Sequence, residues 1–358
     1  MRLGAFVILA AALVSCSGPP SPAAALIPST PAKSQAGDLR TRLDLLLGEH
    51  VMIVAKESAA AVNHTDDYGA YAALLATNSS DMTRLLSRAF GNTTAGQIAK
   101  AWNTQNGYLV DYTIAVVTHD DAKAKAAMLT LTGKFVPQFA QLLGDASDLS
   151  IDTVKQLASR QVSADKAFID DVFAHRYGSL YSDLNNAYTK AANLGDKLSI
   201  QIATRFPDKF PGDPTRPEVV TRVSLNLLLH EHSYLSTMAT AAAVAGRNPE
   251  VVAASNALAV NRDAIANSIG PSFVDVWTAR DKALFGYAAG DSAARSALTS
   301  TFVDAFTSLT HTAKPPVIDQ VEATLRVIDD QRARSSKQVA DDDRAAATAM
   351  QPIADSIR

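Results

Sequence analysis

The sequence predicts an all-α protein, and three observations lead to that prediction. Leu and Ala recur at helical spacing along most of the 358-residue chain, without the alternating pattern of strands. Gly and Pro lie mainly between these stretches, where they start or end helices. The same helical pattern occurs twice. We therefore expect two homologous modules in tandem, each a four-helix bundle with one or two extra helices.

The first residues predict export. Arg2 precedes an uncharged run from Leu3 to Val14, which suits a signal peptide and falls short of the roughly 20 apolar residues of a membrane span. The run ends in LVSC, and Cys16 is the only cysteine in the chain. This ending resembles the lipobox of bacterial lipoproteins. The resemblance implies that residues 1–15 are removed and that Cys16 becomes the lipidated N-terminus.

A lipid on Cys16 would place the mature protein at the cell envelope, on the extracytoplasmic face of a membrane. Two or more acyl chains, such as palmitate, hold a protein stably. The membrane is the cell membrane or, in a Gram-negative cell, the outer membrane. Residues 16–37 are rich in Pro, Ala and Ser without periodicity, which predicts a tether. The net charge of −3 and the lack of a basic patch give no reason to expect nucleic acid as a partner.

Helix one of each predicted module contains nearly the same six-letter word. LLLGEH occupies residues 45–50 and LLLHEH occupies residues 227–232, each inside a longer helical stretch that ends in AAAV. Helix two ends at a glycine in both copies, Gly91 and Gly270, as helices commonly do. Helix three has a Trp and a Tyr ten residues apart in both copies: Trp102 and Tyr112, then Trp277 and Tyr287.

Helix four is expected to begin after the acidic N-cap residues Asp121 and Asp291, and it contains FVxxF in both copies. One or two charged amphipathic helices follow it in each copy. Between the copies, the four prolines of FPDKFPGDPTRP forbid a continuous helix. We therefore predict a first module at residues 38–210, a linker at 211–217 and a second module at 218–358, each folding by itself.

The repeated glutamate and histidine are the candidate functional residues. His50 and His232 lie on the apolar stripe of their helices, because residues three and four positions away are mostly Leu, Ile or Val. One interpretation is a core histidine with a single hydrogen bond, from Tyr112, from Tyr287 or from an acid on helix three. The alternatives are a metal or haem ligand and a general acid or base. Glu49 and Glu231 lie at the stripe's margin, so we expect them to be partly exposed and paired with a neighbouring helix.

The spacing of the acidic and histidine side chains matches no common catalytic or metal motif. ExxH, HExxH, GxSxG, the P-loop and GxGxxG are absent from the sequence. His230 and His232 point about 200° apart on one helix and cannot chelate one ion together. His175 follows Asp171 by four residues, which makes that pair a further candidate. The sequence requires no cofactor, and metal and haem stay open.

A family resemblance rests on the EH helix, the W-x9-Y helix and LGDKLSIQIATRFPDKFP at residues 194–211. With these features, most of residues 38–358 looks like exported tandem-helical proteins of Gram-positive and actinobacterial type. The resemblance implies two helical modules and no particular reaction. Its members have a further histidine on helix three, in the region where this chain has Asn106 and Asp281.

These observations predict a lipid-anchored, extracytoplasmic binding or scaffold protein without enzymatic activity. A metal- or haem-binding protein that uses His50 and His232 is the first alternative. An enzyme with a site of unrecognised type is the second. The sequence identifies neither a protein partner nor a small-molecule ligand.

Overall fold

The computed structural model describes residues 31–357, and the prediction of an all-α fold is confirmed for that part of the chain. The signal peptide, Cys16 and the tether up to residue 30 lie outside the described residues. None of the helices that the structure describes is both long enough and apolar enough to cross a bilayer.

The first half begins with a 3-10 turn, Pro31–Lys33, and seven α-helices follow it within the described residues. They are α1 (Gln35–Val62), α2 (Tyr68–Phe90), α3 (Asn92–Val117), α4 (Asp121–Thr130), α5 (Val136–Ser147), α6 (Ile151–Phe173) and α7 (Tyr177–Arg205). The Ser34 side chain caps α1 by accepting a hydrogen bond from the Gly37 N–H at 3.1 Å. Helix one therefore begins inside the last part of the predicted tether.

The second half repeats the order of the helices. They are α8 (Pro217–Val244), α9 (Asn248–Ile269), α10 (Ser272–Ala288), α11 (Ser292–Ser296), α12 (Val303–Thr310), α13 (Lys314–Ala333), α14 (Val339–Thr348) and α15 (Met350–Ala354). Helix two ends at a glycine with positive φ in both halves, 80° at Gly91 and 125° at Gly270. These are the two glycines that the sequence marks as helix ends.

The predicted fourth helix is interrupted by a π-helical turn in both halves. The turn spans Leu131–Phe135 between α4 and α5, and Ala297–Phe302 between α11 and α12. In each half the first Phe of FVxxF ends the π-turn, and both Phe side chains are buried. Asp291 caps α11 as expected, whereas in the first half the cap is Asp120, one residue before the predicted position.

The proline-rich stretch breaks the helix as expected, with α7 ending at Arg205 and α8 beginning at Pro217. This stretch is fastened to the start of α1. The Ala36 N–H donates to the Pro211 carbonyl at 3.2 Å, and Arg40 Nη1 donates to the Pro214 carbonyl at 2.8 Å. The connection between the halves is therefore held in place by the beginning of the chain's first long helix.

The two halves meet along a seam, which we define as the contact of α1, α2 and α7 with α8, α9 and α14. Helices α1 and α8 are the central helices of their halves and lie against each other, while α7 packs on α9 and α14 packs on α2. The larger apolar core crosses the seam, because Tyr234, Met238 and Val327 belong to the same cluster as Leu47 and Val51. Separate folding of each half stays a prediction.

Candidate functional site

The repeated glutamates and histidines lie in the interior of the protein. Glu49, His50, Glu231 and His232 are 3%, 1%, 2% and 0% exposed. The prediction that the two glutamates are partly exposed is wrong, because α1 and α8 are surrounded by other helices on most of their circumference. Their predicted pairing with neighbouring helices is present.

An asparagine on helix two binds the glutamate of helix one in the same way in both halves. Asn78 Nδ2 donates to the Leu46 carbonyl at 2.9 Å and to Glu49 Oε2 at 2.7 Å. Asn261 Nδ2 donates to the Leu228 carbonyl at 3.1 Å and to Glu231 Oε2 at 2.9 Å. The glutamate thus links helix one to helix two.

Both glutamates are carboxyl groups with a shifted pKa. Burial raises the pKa of Glu49, and the positive charge of Arg344 and the Asn78 hydrogen bond partly oppose that rise. Burial also raises the pKa of Glu231, which receives hydrogen bonds from Asn185 and Asn261. Sequence reasoning missed both helix-two asparagines. The available signal was a matched asparagine on an otherwise apolar face of helix two.

His50 is held by the amide of helix three. Its Nε2 lies 2.8 Å from Asn106 Oδ1, and Asn106 Nδ2 donates to Ser79 Oγ at 3.0 Å. With the amide oriented in this way, Nε2 carries the proton and donates it. The ring packs against Trp102, with 4.7 Å between the ring centroids. Burial lowers the pKa of His50 to about 4, so the ring is neutral at pH 7.

His232 has protein partners at both ring nitrogens. The NH₂ group of Asn261 donates to the Leu228 carbonyl and to Glu231, so it is Asn261 Oδ1 that accepts from His232 Nδ1, at 2.9 Å. His232 Nε2 then accepts from Trp277 Nε1 at 2.6 Å. Asp281 Oδ1 lies 3.2 Å from the same Nε2 and 3.2 Å from Arg280 Nη1. Arg280 thus lies beside the Asp281 carboxylate.

These contacts decide between the partners expected for the two histidines. An acid on helix three, Asp281, lies beside His232, while the corresponding partner of His50 is the amide of Asn106. Tyr112 and Tyr287 bind elsewhere: Tyr112 donates to Asp170 at 2.5 Å and Tyr287 to Asp329 at 2.8 Å. Asn106 and Asp281, each four residues after the tryptophan of helix three, thus lie beside His50 and His232.

Three of the four ring nitrogens of His50 and His232 face protein partners. Within residues 31–357, no three His, Asp or Glu side chains come together in an arrangement suited to a metal ion. Of the chemistry considered for these residues, the contacts favour hydrogen bonding between helices.

The fourth letter of the repeated word differs because of Tyr188 on α7. A Cβ at Gly48 would lie 2.5 Å from Tyr188 Cε2, so only glycine leaves room for that ring on α1. In the second word the same position is His230, whose Nδ1 lies 3.0 Å from the Tyr188 hydroxyl. Burial lowers the pKa of His230 to about 3. One tyrosine therefore packs on the first word and hydrogen bonds to the second.

The repeat also includes an arginine nine residues before Glu49 and nine residues before Glu231, and the aspartate that this arginine binds near the end of each half. Arg40 Nε donates to Asp196 at 2.5 Å, and Arg222 Nε donates to Asp355 at 2.7 Å. Sequence reasoning missed these pairs, because the local sequences LGD and IAD share little beyond the aspartate.

Two charged side chains of helix α14 contact the first half across the seam. Arg344 donates to Glu49 Oε1 at 3.0 Å and to Asp81 at 2.6 Å. Asp343 is fully buried and pairs with Lys56 Nζ at 2.5 Å. The second half therefore supplies the counter-charges for buried groups of the first half.

His175 is exposed and lies at the end of α6 in a left-handed conformation, with φ of 53°. Asp171 does not pair with it as the spacing suggests, because Asp171 accepts from Arg176 Nε at 2.7 Å. The left-handed turn carries the His175 side chain off the helical face on which Asp171 lies. His64, His119 and His311 are exposed at helix ends with the same kind of backbone.

A cleft of about 300 Å³ opens at the seam, and we call it the seam cleft. Its apolar wall consists of Leu45, Leu46, Leu85 and Ala347. Four arginines also line it: Arg42, Arg84, Arg88 and Arg344. Asn226 and His230 of α8 contribute polar atoms, and Glu49 and Asp81 are its acids. The seam cleft thus combines an apolar wall with an excess of positive charge.

Comparison with known proteins adds no relative, since no family model, no curated protein and no solved structure matches this chain.

Proposed function

We propose that the chain is a lipid-anchored, extracytoplasmic binding protein, without enzymatic activity, whose ligand site is the seam cleft. One observation carries this proposal: the cleft lies between the two halves and offers an apolar wall beside polar and charged groups. That combination is typical of small-molecule sites, and about 300 Å³ is at the lower end of their size range. The lipobox resemblance of LVSC supports the anchor.

The buried EH pairs support a binding role rather than a chemical one. Their carboxylates and most of their ring nitrogens bind Asn, Trp and Arg side chains of other helices. A scaffold of this kind holds the walls of a cleft in place. Metal analysis and an absorption spectrum of the purified mature protein test the alternative. Stoichiometric metal or a Soret band that disappears in the His50→Gln, His232→Gln double variant would replace this proposal.

A neutral fluorescent probe tests the cleft. Nile red should bind the purified protein saturably, with one site per chain. Leu46→Trp adds bulk at the half-buried cleft wall and should weaken binding by about tenfold or more, since the ring competes for the same space. Leu129→Trp is the matched control, because Leu129 is 61% exposed on α4 and does not line the cleft. Equal binding by Leu46→Trp would contradict the proposal, and so would a wild-type protein that binds neither Nile red nor any other apolar or amphipathic probe.

The anchor has its own test. Cys16→Ser should prevent lipidation and leave the protein unprocessed or released into the medium. Membrane fractionation and the electrophoretic mobility of the chain report the result. A Cys16→Ser chain that stays membrane-bound, with unchanged processing, would disprove the lipobox interpretation and leave the cleft proposal standing.

A further inference from the structure

We propose that the ligand of the seam cleft is an amphipathic anion, with a single short apolar chain or ring that carries one carboxylate or phosphate. This inference rests on the proposed binding function and names its chemical class. It follows from which charges in the cleft already have partners, from the apolar wall and from an unsatisfied buried acceptor.

The charges of the cleft are unequally paired. Its two acids, Glu49 and Asp81, both bind Arg344. Arg84 also reaches Asp81 at 3.0 Å, although its side chain is 77% exposed. Arg42 and Arg88 form no ion pair with any residue of the described part of the chain, and both are exposed at the cleft. An incoming anion therefore meets two unpaired guanidinium groups.

The apolar wall limits the other end of the ligand. Leu45 and Leu46 are half-buried on α1, and Leu85 of α2 and Ala347 of α14 complete the wall. A single short chain or ring suits a cavity of about 300 Å³ better than a two-chain lipid. Burying its apolar surface here supplies affinity that an inorganic anion lacks.

Asn226, one of the residues that line the cleft, has a buried polar atom without a protein partner within the part of the chain that the structure describes. Asn226 is 1% exposed, and its Nδ2 donates to the Arg222 carbonyl at 2.9 Å and to Asp355 at 3.0 Å. Its Oδ1 is buried and has no partner among residues 31–357. Buried acceptors are nearly always satisfied in proteins. A phosphate monoester that keeps one P–OH group supplies such a donor, whereas a carboxylate supplies none.

Displacement of Nile red tests the charge preference with four probes of equal chain length: decanoate, decyl phosphate, 1-decanol and decyltrimethylammonium. At least one anion should displace the dye at a concentration about tenfold lower than the alcohol or the cation requires, because charge-assisted hydrogen bonds are the stronger ones. Its affinity should fall as salt rises. The carboxylate and phosphate probes show which head group is preferred.

The double variant Arg42→Gln, Arg88→Gln should bind the preferred anion about tenfold or more weakly, with an unchanged affinity for 1-decanol. Arg160→Gln is the matched control, since Arg160 is an exposed arginine of α6 that does not line the cleft. Equal displacement by the anions and 1-decanol, or an unchanged anion affinity in the double variant, would overturn the inference.

Calorimetry with decanoate and decyl phosphate measures anion binding without the dye. Anion binding without Nile red binding keeps this inference, and Nile red binding without anion preference keeps only the proposed function. If neither the anions nor Nile red bind, the inference and the proposed function are both wrong.

Discussion

Replacing Gly48 with alanine tests why the two six-letter words differ. The new Cβ would lie 2.5 Å from Tyr188 Cε2 and 2.7 Å from Tyr188 Cζ, well inside contact distance. The ring cannot easily retreat, because Tyr188 is 4% exposed and its hydroxyl is bonded to the Leu227 carbonyl at 3.1 Å. Overpacking of this kind costs about 1–3 kcal/mol. The better helix propensity of alanine offsets up to about 1 kcal/mol. We expect Gly48→Ala to lower the free energy of unfolding by about 1–2 kcal/mol.

Gly107→Ala is the matched control for that substitution. Gly107 is also inside a helix, but a Cβ there has no neighbour within 4 Å. Alanine at this position should raise the free energy of unfolding by about 0.5–1 kcal/mol. Urea unfolding followed by circular dichroism should therefore give opposite signs for the two variants. In a Tyr188→Ala background the cost at Gly48 should disappear. A Gly48→Ala variant as stable as Gly107→Ala would refute the role assigned to Tyr188.

Three further predictions concern buried charge and the seam. Burial raises the pKa of Glu57 from 4.5 to about 7, so its contribution to stability is present below pH 4.5 and is lost as the pH rises through 7. In urea unfolding, Glu57→Gln should therefore stabilise the protein by about 3 kcal/mol at pH 8 relative to its effect at pH 4. Lys56→Met should lower the free energy of unfolding by about 3–5 kcal/mol, because it leaves Asp343 buried without its cationic partner. Adding Asp343→Asn should recover most of that loss. A Lys56→Met variant as stable as the wild type would count against a stabilising role of the buried pair. A fragment of residues 31–210 should unfold cooperatively, at a lower melting temperature than the whole chain because it lacks the contacts of the seam. A fragment without a helical circular dichroism spectrum would show that the halves fold only together.

The helices could be predicted from the sequence because their signals are local. Gly91 and Gly270 end helix two, and the four prolines after Arg205 separate the halves, as expected from backbone geometry alone. The apolar spacing around His50 and His232 also predicted their burial. Each of these inferences needs only residues within about two turns of one another.

The contacts of the site could not be predicted in the same way, because they join distant helices. On a helical wheel Glu49 lies at the margin of the apolar stripe, yet Asn78 of α2 and Arg344 of α14 cover its side chain. The Arg344 contact comes from α14, in a stretch that the sequence predicts only as a charged amphipathic helix. A wheel describes one helix, and it cannot show that α1 and α8 are enclosed on most sides.

The π-turns before the two FVxxF motifs bear on the history of the chain. A π-turn closes its hydrogen bond over one residue more than an α-turn, so it marks an extra residue in an otherwise regular helix. Both halves have it at the same place, directly before α5 and α12. If the halves descend from one ancestral unit, that extra residue was already present before the unit was copied. On the same premise, glycine and histidine diverged beside Tyr188 only after that unit was copied.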